Sequence, residues 1–276
     1  MSSSIDASDA VKHIHEACRD VGFFYITGHG VLQHTTDTVM EAARLFFEMP
    51  FEKKIALSIR NSKAYRGYIQ KGSEMTADKV DVKEGIYFGP DVTSDDPDVI
   101  CGTPMVGSNQ YPDEGDLPNF PNTVKQYREQ MKTVGLSLMR AMAMGLQLPK
   151  CYFDDMFSNP ILQDDVGGLE VQTKDGKWID VPPIPGTFVV NVGDPLEAWT
   201  KGLYRATLHR VRSFPGKDRY SAPFFYGPNP RCIIEPLDTD LTRDLSYTPE
   251  FLLKMPFRFG DYYYAKFQQS FDWFSE

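Results

Sequence analysis

Helices wrapped around an antiparallel jelly roll, an α+β fold, are what this sequence predicts. Three observations carry that reading. Apolar residues recur with a helical period through most of the first 150 positions. After Gly167 the period falls to two, and short strand-like runs follow one another with no helix between them. The last residues return to a helical period, and together these features describe helices packed on a closed or sandwiched sheet.

The elements follow in chain order. Val11, Ile14, Cys18 and Val21 lie at spacings of three, four and three, one face of a helix. Phe23-Phe24-Tyr25-Ile26 is a short buried strand that stops at Gly28-His29-Gly30. A second helix carries Val39, Met40, Ala43, Phe46 and Phe47, and Pro50 ends or restarts it. Residues 60–83 read as a polar loop, Gly85-Ile86-Tyr87-Phe88 as a strand, and 90–121 as a long surface loop rich in Asp, Pro and Gly. A long helix then presents Val124, Tyr127, Met131, Val134, Leu138 and Met142, and stops before Pro149. Leu169–Gln172 and Trp178–Val181 alternate around Asp175-Gly176, a strong hairpin signal. Further strand-like runs are 187–192, 206–211, 219–226 and 231–235, so a β-rich core is expected over 167–236. Helical patterns close the chain around Phe251–Met255 and Tyr262–Phe271.

Composition narrows the function. The 276 residues are 41% hydrophobic and 24% charged, which suits a globular chain rather than a disordered one. The formal net charge of −9 disfavours nucleic acid and anionic membrane surfaces, both of which select basic faces. No apolar run reaches the roughly 18 residues of a membrane span. Cys18, Cys101, Cys151 and Cys232 are far apart with no C-x-x-C pair, which excludes a zinc finger and fits unpaired thiols in the cytoplasm.

Strand, Gly28-x-Gly30 and helix together invite a dinucleotide fingerprint, but the third glycine position is Gln33 and no βαβ repeat follows. A tight turn explains the glycines better, with His29 a structural turn residue. In Arg205-Ala206-Thr207-Leu208-His209-Arg210-Val211, a period of two puts Thr207, His209 and Val211 on one face. A lone strand histidine is most often a hydrogen-bonded core residue. Arg219, Ser221 and Phe225 share a face of the next run. An arginine among so many apolar neighbours needs an anion, either a ligand carboxylate gripped by its fork and the serine hydroxyl, or an internal acid. Both readings stay open on pattern alone.

His209-Arg210-Val211 followed by Arg219-x-Ser221 resembles the C-terminal signature of the non-haem Fe(II)/2-oxoglutarate-dependent dioxygenases, in their isopenicillin N synthase-like branch. Gly22-Phe23-Phe24-Tyr25-Ile26-Thr27-Gly28-His29-Gly30-Val31, Tyr65-Arg66-Gly67-Tyr68, Asp164-Asp165-Val166-Gly167-Gly168-Leu169 and Asn191-Val192-Gly193-Asp194 are similar to that branch's motifs, and they occur in its order. The resemblance implies oxidation of a small organic molecule with Fe(II), O2 and 2-oxoglutarate, with ascorbate as an auxiliary reductant. It makes His209 a metal ligand, and Arg219 and Ser221 the pair that grips the far carboxylate of 2-oxoglutarate. Phe225, Arg66 and Tyr68 become substrate-side candidates, although a solvated loop is the default for the last two. It also divides the chain into an N-terminal helix/strand region (1–118), a long helix plus jelly-roll oxygenase domain (119–236) and a helical tail (237–276).

The sequence departs from the pattern at one place. Such enzymes hold iron with two histidines and a carboxylate. A His-x-Asp motif just before Asp164 is expected to supply two of the three ligands. Here Asn159-Pro160 runs directly into Ile161-Leu162-Gln163-Asp164, and no histidine occurs between His34 and His209. The absent piece, near 160–162, amounts to roughly thirty residues, or two to three core strands. Two functions therefore follow from the sequence. One is a small-molecule oxygenase; the other is a non-catalytic, internally shortened form.

Overall fold

A computed structural model describes residues 7–76, 79–157, 168–212, 216, 218–246 and 254–271. The N-terminal half comprises α1 (Ala7–Asp20), β1 (Phe23–Ile26), α2 (Gln33–Glu48), α3 (Phe51–Ile55), β2 (Gly67–Ile69), β3 (Met75–Thr76), β4 (Lys79–Val80), β5 (Gly85–Tyr87), α4 (Pro97–Ile100) and α5 (Phe120–Gly145). The remainder comprises β6 (Leu169–Gln172), β7 (Trp178–Asp180), β8 (Phe188–Asn191), α6 (Asp194–Trp199), β9 (His209–Val211), β10 (Ile233–Ile234), β11 (Phe257–Arg258) and α7 (Phe259–Gln269).

The helix α5 organises the molecule. Pro121 sits in its first turn, where a missing N–H costs nothing. Val124, Tyr127, Met131, Val134 and Met142 are buried along it at the spacing the sequence shows. One stretch of α5 packs with Val31, Val39 and Phe188, and the stretch nearer its C-terminus joins Phe153, Trp199, Tyr204 and Cys18. Burial pushes the Cys18 thiol up to about 12, so it is an inert packing group.

Two sheets face each other beside this layer. β1 pairs antiparallel with β8, Phe23 opposite Asn191. β6 lies between β7 and β9, with Val171 opposite both Ile179 and His209. Phe23, Leu169, Val171 and Val181 are buried between the sheets, with Tyr25 and Val189 against them. The β6–β7 hairpin turns at Asp175-Gly176, where Gly176 takes φ +81°, a conformation that favours glycine.

The strand expectations hold in part. The run 187–192 forms β8, but 206–211 forms a strand only from His209, and 231–235 only at Ile233–Ile234. Across 219–226 only Phe224 is in a β-bridge. An alternating pattern becomes a strand only where another strand offers a ladder. Among the described residues, β8 pairs with β1 alone and β9 with β6 alone, so each has an edge with no ladder.

The loop expected over 60–83 is instead partly core. Gly67, Tyr68 and Ile69 are all buried in β2, which pairs with β5. Gly67 has φ +124°, and a Cβ there would lie 2.1 Å from the Leu57 carbonyl oxygen. That carbonyl accepts the Tyr68 amide at 2.7 Å. Gln110 supports the same corner, its side-chain amide donating to the carbonyls of Leu57, Ser58 and Arg66. The segments around 160–162 and at Phe251–Leu252, and most of the Asp164–Gly168 motif, lie outside the described residues.

Candidate active site

His209 opens β9, and the preceding residues are fastened to the start of the chain. Arg205 donates its amide to the Cys18 carbonyl at 3.0 Å. Thr207 donates its hydroxyl to the Val21 carbonyl at 2.5 Å. Only a glycine fits at position 22, because a Cβ there would come within 2.1 Å of the Arg205 carbonyl oxygen. His209 therefore projects toward Phe23, its ring edge-on at 5.2 Å between centroids. Its Nδ1 lies 3.0 Å from the Thr207 carbonyl oxygen, which can only accept. Nδ1 thus carries the proton, and in the neutral ring Nε2 keeps its lone pair, the form that can bind a metal. The next residue points away: Arg210 pairs with the buried Glu170 at 2.7 Å and lies over the Trp178 ring.

Arg219 and Ser221 belong to the unladdered run. Tyr220 packs against Phe47, while Ala222 and Phe224 join the α5 layer. The Tyr127 hydroxyl donates to the Ala222 carbonyl at 3.1 Å, tying this run to α5. Arg219 Nη1 lies 3.5 Å from Ser221 Oγ, so these two side chains meet on one side of the run, both half-buried. Phe225 is 53% exposed, so it forms no enclosed wall. Tyr127 is the positioning group that sequence reading missed: its place on the apolar face of α5 marked it as core, and only its hydroxyl separates it from a phenylalanine.

Arg66 and Tyr68 stand elsewhere. The Arg66 guanidinium is buried beside Gly89 and donates to the Met105 carbonyl at 2.8 Å. Burial depresses its pKa, and its Nε has no hydrogen-bond partner among the described residues. The buried Tyr68 donates to Glu84 at 2.5 Å, and Glu84 also pairs with Lys54. Neither side chain offers an open surface, which corrects the expectation of a solvated loop. His29 is the turn residue expected. Its Nδ1 accepts the Val31 amide at 3.2 Å and its ring lies on Phe188. Gly28 and Gly30 both take positive φ.

Two cavities open away from this region. One, of about 520 Å³, is lined by Cys101, Arg231 and Arg258 among others; the second, of about 310 Å³, lies between His29, Met40 and Ile184.

Comparison with known proteins places the fold. Residues 1–114 match the family described as non-haem dioxygenase in morphine synthesis N-terminal, and residues 147–228 match the 2OG-Fe(II) oxygenase superfamily. A probable iron/ascorbate oxidoreductase of Dictyostelium discoideum is 35% identical over 273 residues, covering 79% of this chain and 75% of that one. The chain belongs to the 2-oxoglutarate/Fe(II) oxygenase superfamily. Its members use Fe(II), 2-oxoglutarate and O2 to oxidise small molecules. A homoarginine-6-hydroxylase of Oryza sativa subsp. japonica is 30% identical, with 84% of this chain and 82% of that one covered. Among solved structures, a full-length Neurospora crassa protein in complex with alpha-KG superposes with a TM-score of 0.76 at 24% identity, over 97% of this chain and 92% of that one. An oxygenase family protein of Caulobacter crescentus gives 0.78 at 23%, over 96% and 95%. These neighbours have a jelly-roll core, as expected here.

The superfamily's iron does not fit the donors described. Among the described residues no group of three His, Cys, Asp or Glu side chains is placed to hold a metal. The alignment with the Dictyostelium relative agrees. It runs for 273 positions but draws on only 79% of the 276 residues here, so that relative has residues inside the span that this chain lacks.

Proposed function

We propose that this chain is a 2-oxoglutarate-binding oxygenase-family protein of the isopenicillin N synthase-like branch, acting on a small organic molecule, with Arg219 and Ser221 as the cosubstrate anchor. One observation carries the reading: Arg219 and Ser221 stand side by side, Nη1 and Oγ 3.5 Å apart. A guanidinium offers two parallel N–H groups to a carboxylate, and the neighbouring hydroxyl adds a third donor. Tyr127 holds the backbone just after Ser221 in place. Phe225, four residues after Ser221 and exposed, is the aromatic side chain offered to substrate. Arg66 and Tyr68 serve by fixing the β2–β5 corner rather than by touching substrate.

The iron of the family would supply oxygen activation when bound, with His209 as one ligand. Among the described residues the remaining donors are not in place. All four cysteines are free, which supports a reduced, cytoplasmic setting. Among the described residues no helix is long and apolar enough to cross a membrane.

Calorimetry with 2-oxoglutarate tests the anchor. Arg219→Lys keeps the charge and removes the fork, so affinity is expected to drop about tenfold or more. Equal affinity in the two proteins would remove Arg219 from the site.

A further inference from the structure

A facial triad needs two imidazoles, and the sequence has five histidines, all among the described residues. His209 is the one at the expected place. His15 lies on α1 with its Nδ1 2.9 Å from the Tyr204 hydroxyl. His29 lies on Phe188, which belongs to the α5 layer rather than to the space between the sheets. His13 is exposed on α1 and His34 at the start of α2. The nearest described carboxylates upstream are no better placed. Asp154 is gripped by Arg140 through contacts of 2.6 and 3.1 Å, and Asp155 is exposed. No arrangement of residues 158–167 can supply the missing imidazole, because none of them is a histidine.

This changes what the site can read. 2-Oxoglutarate has two ends, a far carboxylate and a 2-oxo acid. Arg219 and Ser221 address only the far carboxylate, which glutarate shares. The 2-oxo acid end is a bidentate metal chelator, and only a held metal would distinguish it from a plain CH2–carboxylate. A single neutral imidazole cannot hold Fe(II) against water and buffer, since Fe(II) stands low in the first-row affinity order.

We propose that this chain carries a metal-independent half-site for five-carbon dicarboxylates, one that binds 2-oxoglutarate and glutarate alike. The proposal rests on the Arg219–Ser221 anchor and goes beyond it by assigning the site a ligand class wider than the family's cosubstrate.

The experiment is calorimetry on the full chain under argon, with 2-oxoglutarate and with glutarate. Each titration is run in EDTA and again with Mn(II), a redox-inert stand-in for Fe(II). Dissociation constants for the two ligands are expected to agree within about threefold, with and without Mn(II). Equilibrium dialysis against Mn(II) alone is expected to show less than stoichiometric binding at micromolar protein. Tightening of 2-oxoglutarate by about tenfold with Mn(II), glutarate unmoved, would overturn the proposal and mean that a metal site assembles. A tenfold preference for 2-oxoglutarate in EDTA would overturn it differently, by showing that protein groups read the oxo acid. Failure of the underlying anchor looks distinct. In that case Arg219→Lys and Ser221→Ala, each checked for native circular dichroism, leave both affinities unchanged, or neither ligand binds at millimolar concentration. Weakening of both ligands in parallel by either variant supports the shared half-site.

Discussion

The aromatic nest at the C-terminal end of α5 and the sheet mouth, the stretch Leu208–Val211 at β9, both carry apolar side chains, and these meet water very differently. Phe153, Phe157 and Trp199 lie 5.4–6.1 Å from one another and are 5% exposed or less. At the mouth, Leu208 and Val211 are 68% and 48% exposed. A helix satisfies its own backbone and needs only one covered stripe to be stable in place. A strand satisfies half its backbone groups through each neighbour, so removal of one neighbour uncovers its side chains as well. Residue type alone did not decide which region packed: among the described residues β9 has a ladder on one side only.

The sharpest way to break that contrast is to hollow the nest. Trp199→Ala should cost about 3–5 kcal/mol, a large part of a total of roughly 5–15. Urea unfolding checks this, and a loss under about 1 kcal/mol would mean that the nest is loose. Next in size is Gly67→Ala, where a left-handed φ and the Leu57 carbonyl both oppose a Cβ. The expected loss is about 1–3 kcal/mol, and thermal melts that overlay wild type would show that the corner relaxes freely.

A smaller effect concerns acid. Burial lowers the His15 pKa, with nearby Arg19 contributing in the same direction. The folded state then favours the neutral ring. This contribution is complete above the unfolded value of about 6.5 and fades as pH falls through that value toward the lower folded one. His15→Gln should therefore lose less stability than wild type between pH 7 and pH 5, judged by the difference in Tm shift. Identical shifts would remove His15 as a titrating group.

Smallest of all should be Leu208→Ser at the mouth, within about 0.5 kcal/mol. Destabilisation beyond about 2 kcal/mol would show that the mouth is covered in solution. Hydrogen exchange sharpens the same point: the Val192 amide, which donates to the Gly22 carbonyl, should be slow, and those of Tyr220 and Ala222 fast.

How much of this was legible follows from the same physics. The period of α5 and the Asp175-Gly176 hairpin are local signals, and they were read with bounds close to those found. The strand run 219–226 carried an equally good alternation but depends on a distant ladder, which a period cannot report. Arg66 and Tyr68 looked solvated because their flanks are polar; their burial comes from contacts with Glu84, Gly89 and Met105, which no window around residue 66 contains. His209, Arg219 and Ser221 were legible as residue types on strand faces. The tautomer of His209 and the Tyr127 tether were not, because each depends on a carbonyl whose direction only the folded backbone sets.

The fastening of Thr207 to Val21 spans 186 positions. A ribosome adding about 5–20 residues per second needs roughly ten to forty seconds between making one end of that bond and the other. For all of that time α1 and β1 lack the segment that closes over their junction, and β1 waits almost as long for β8. The nascent chain therefore exposes Phe23 and Phe24 until β8 and Thr207 have followed, and a holding chaperone has a clearer target at β1 than at the strands made after it.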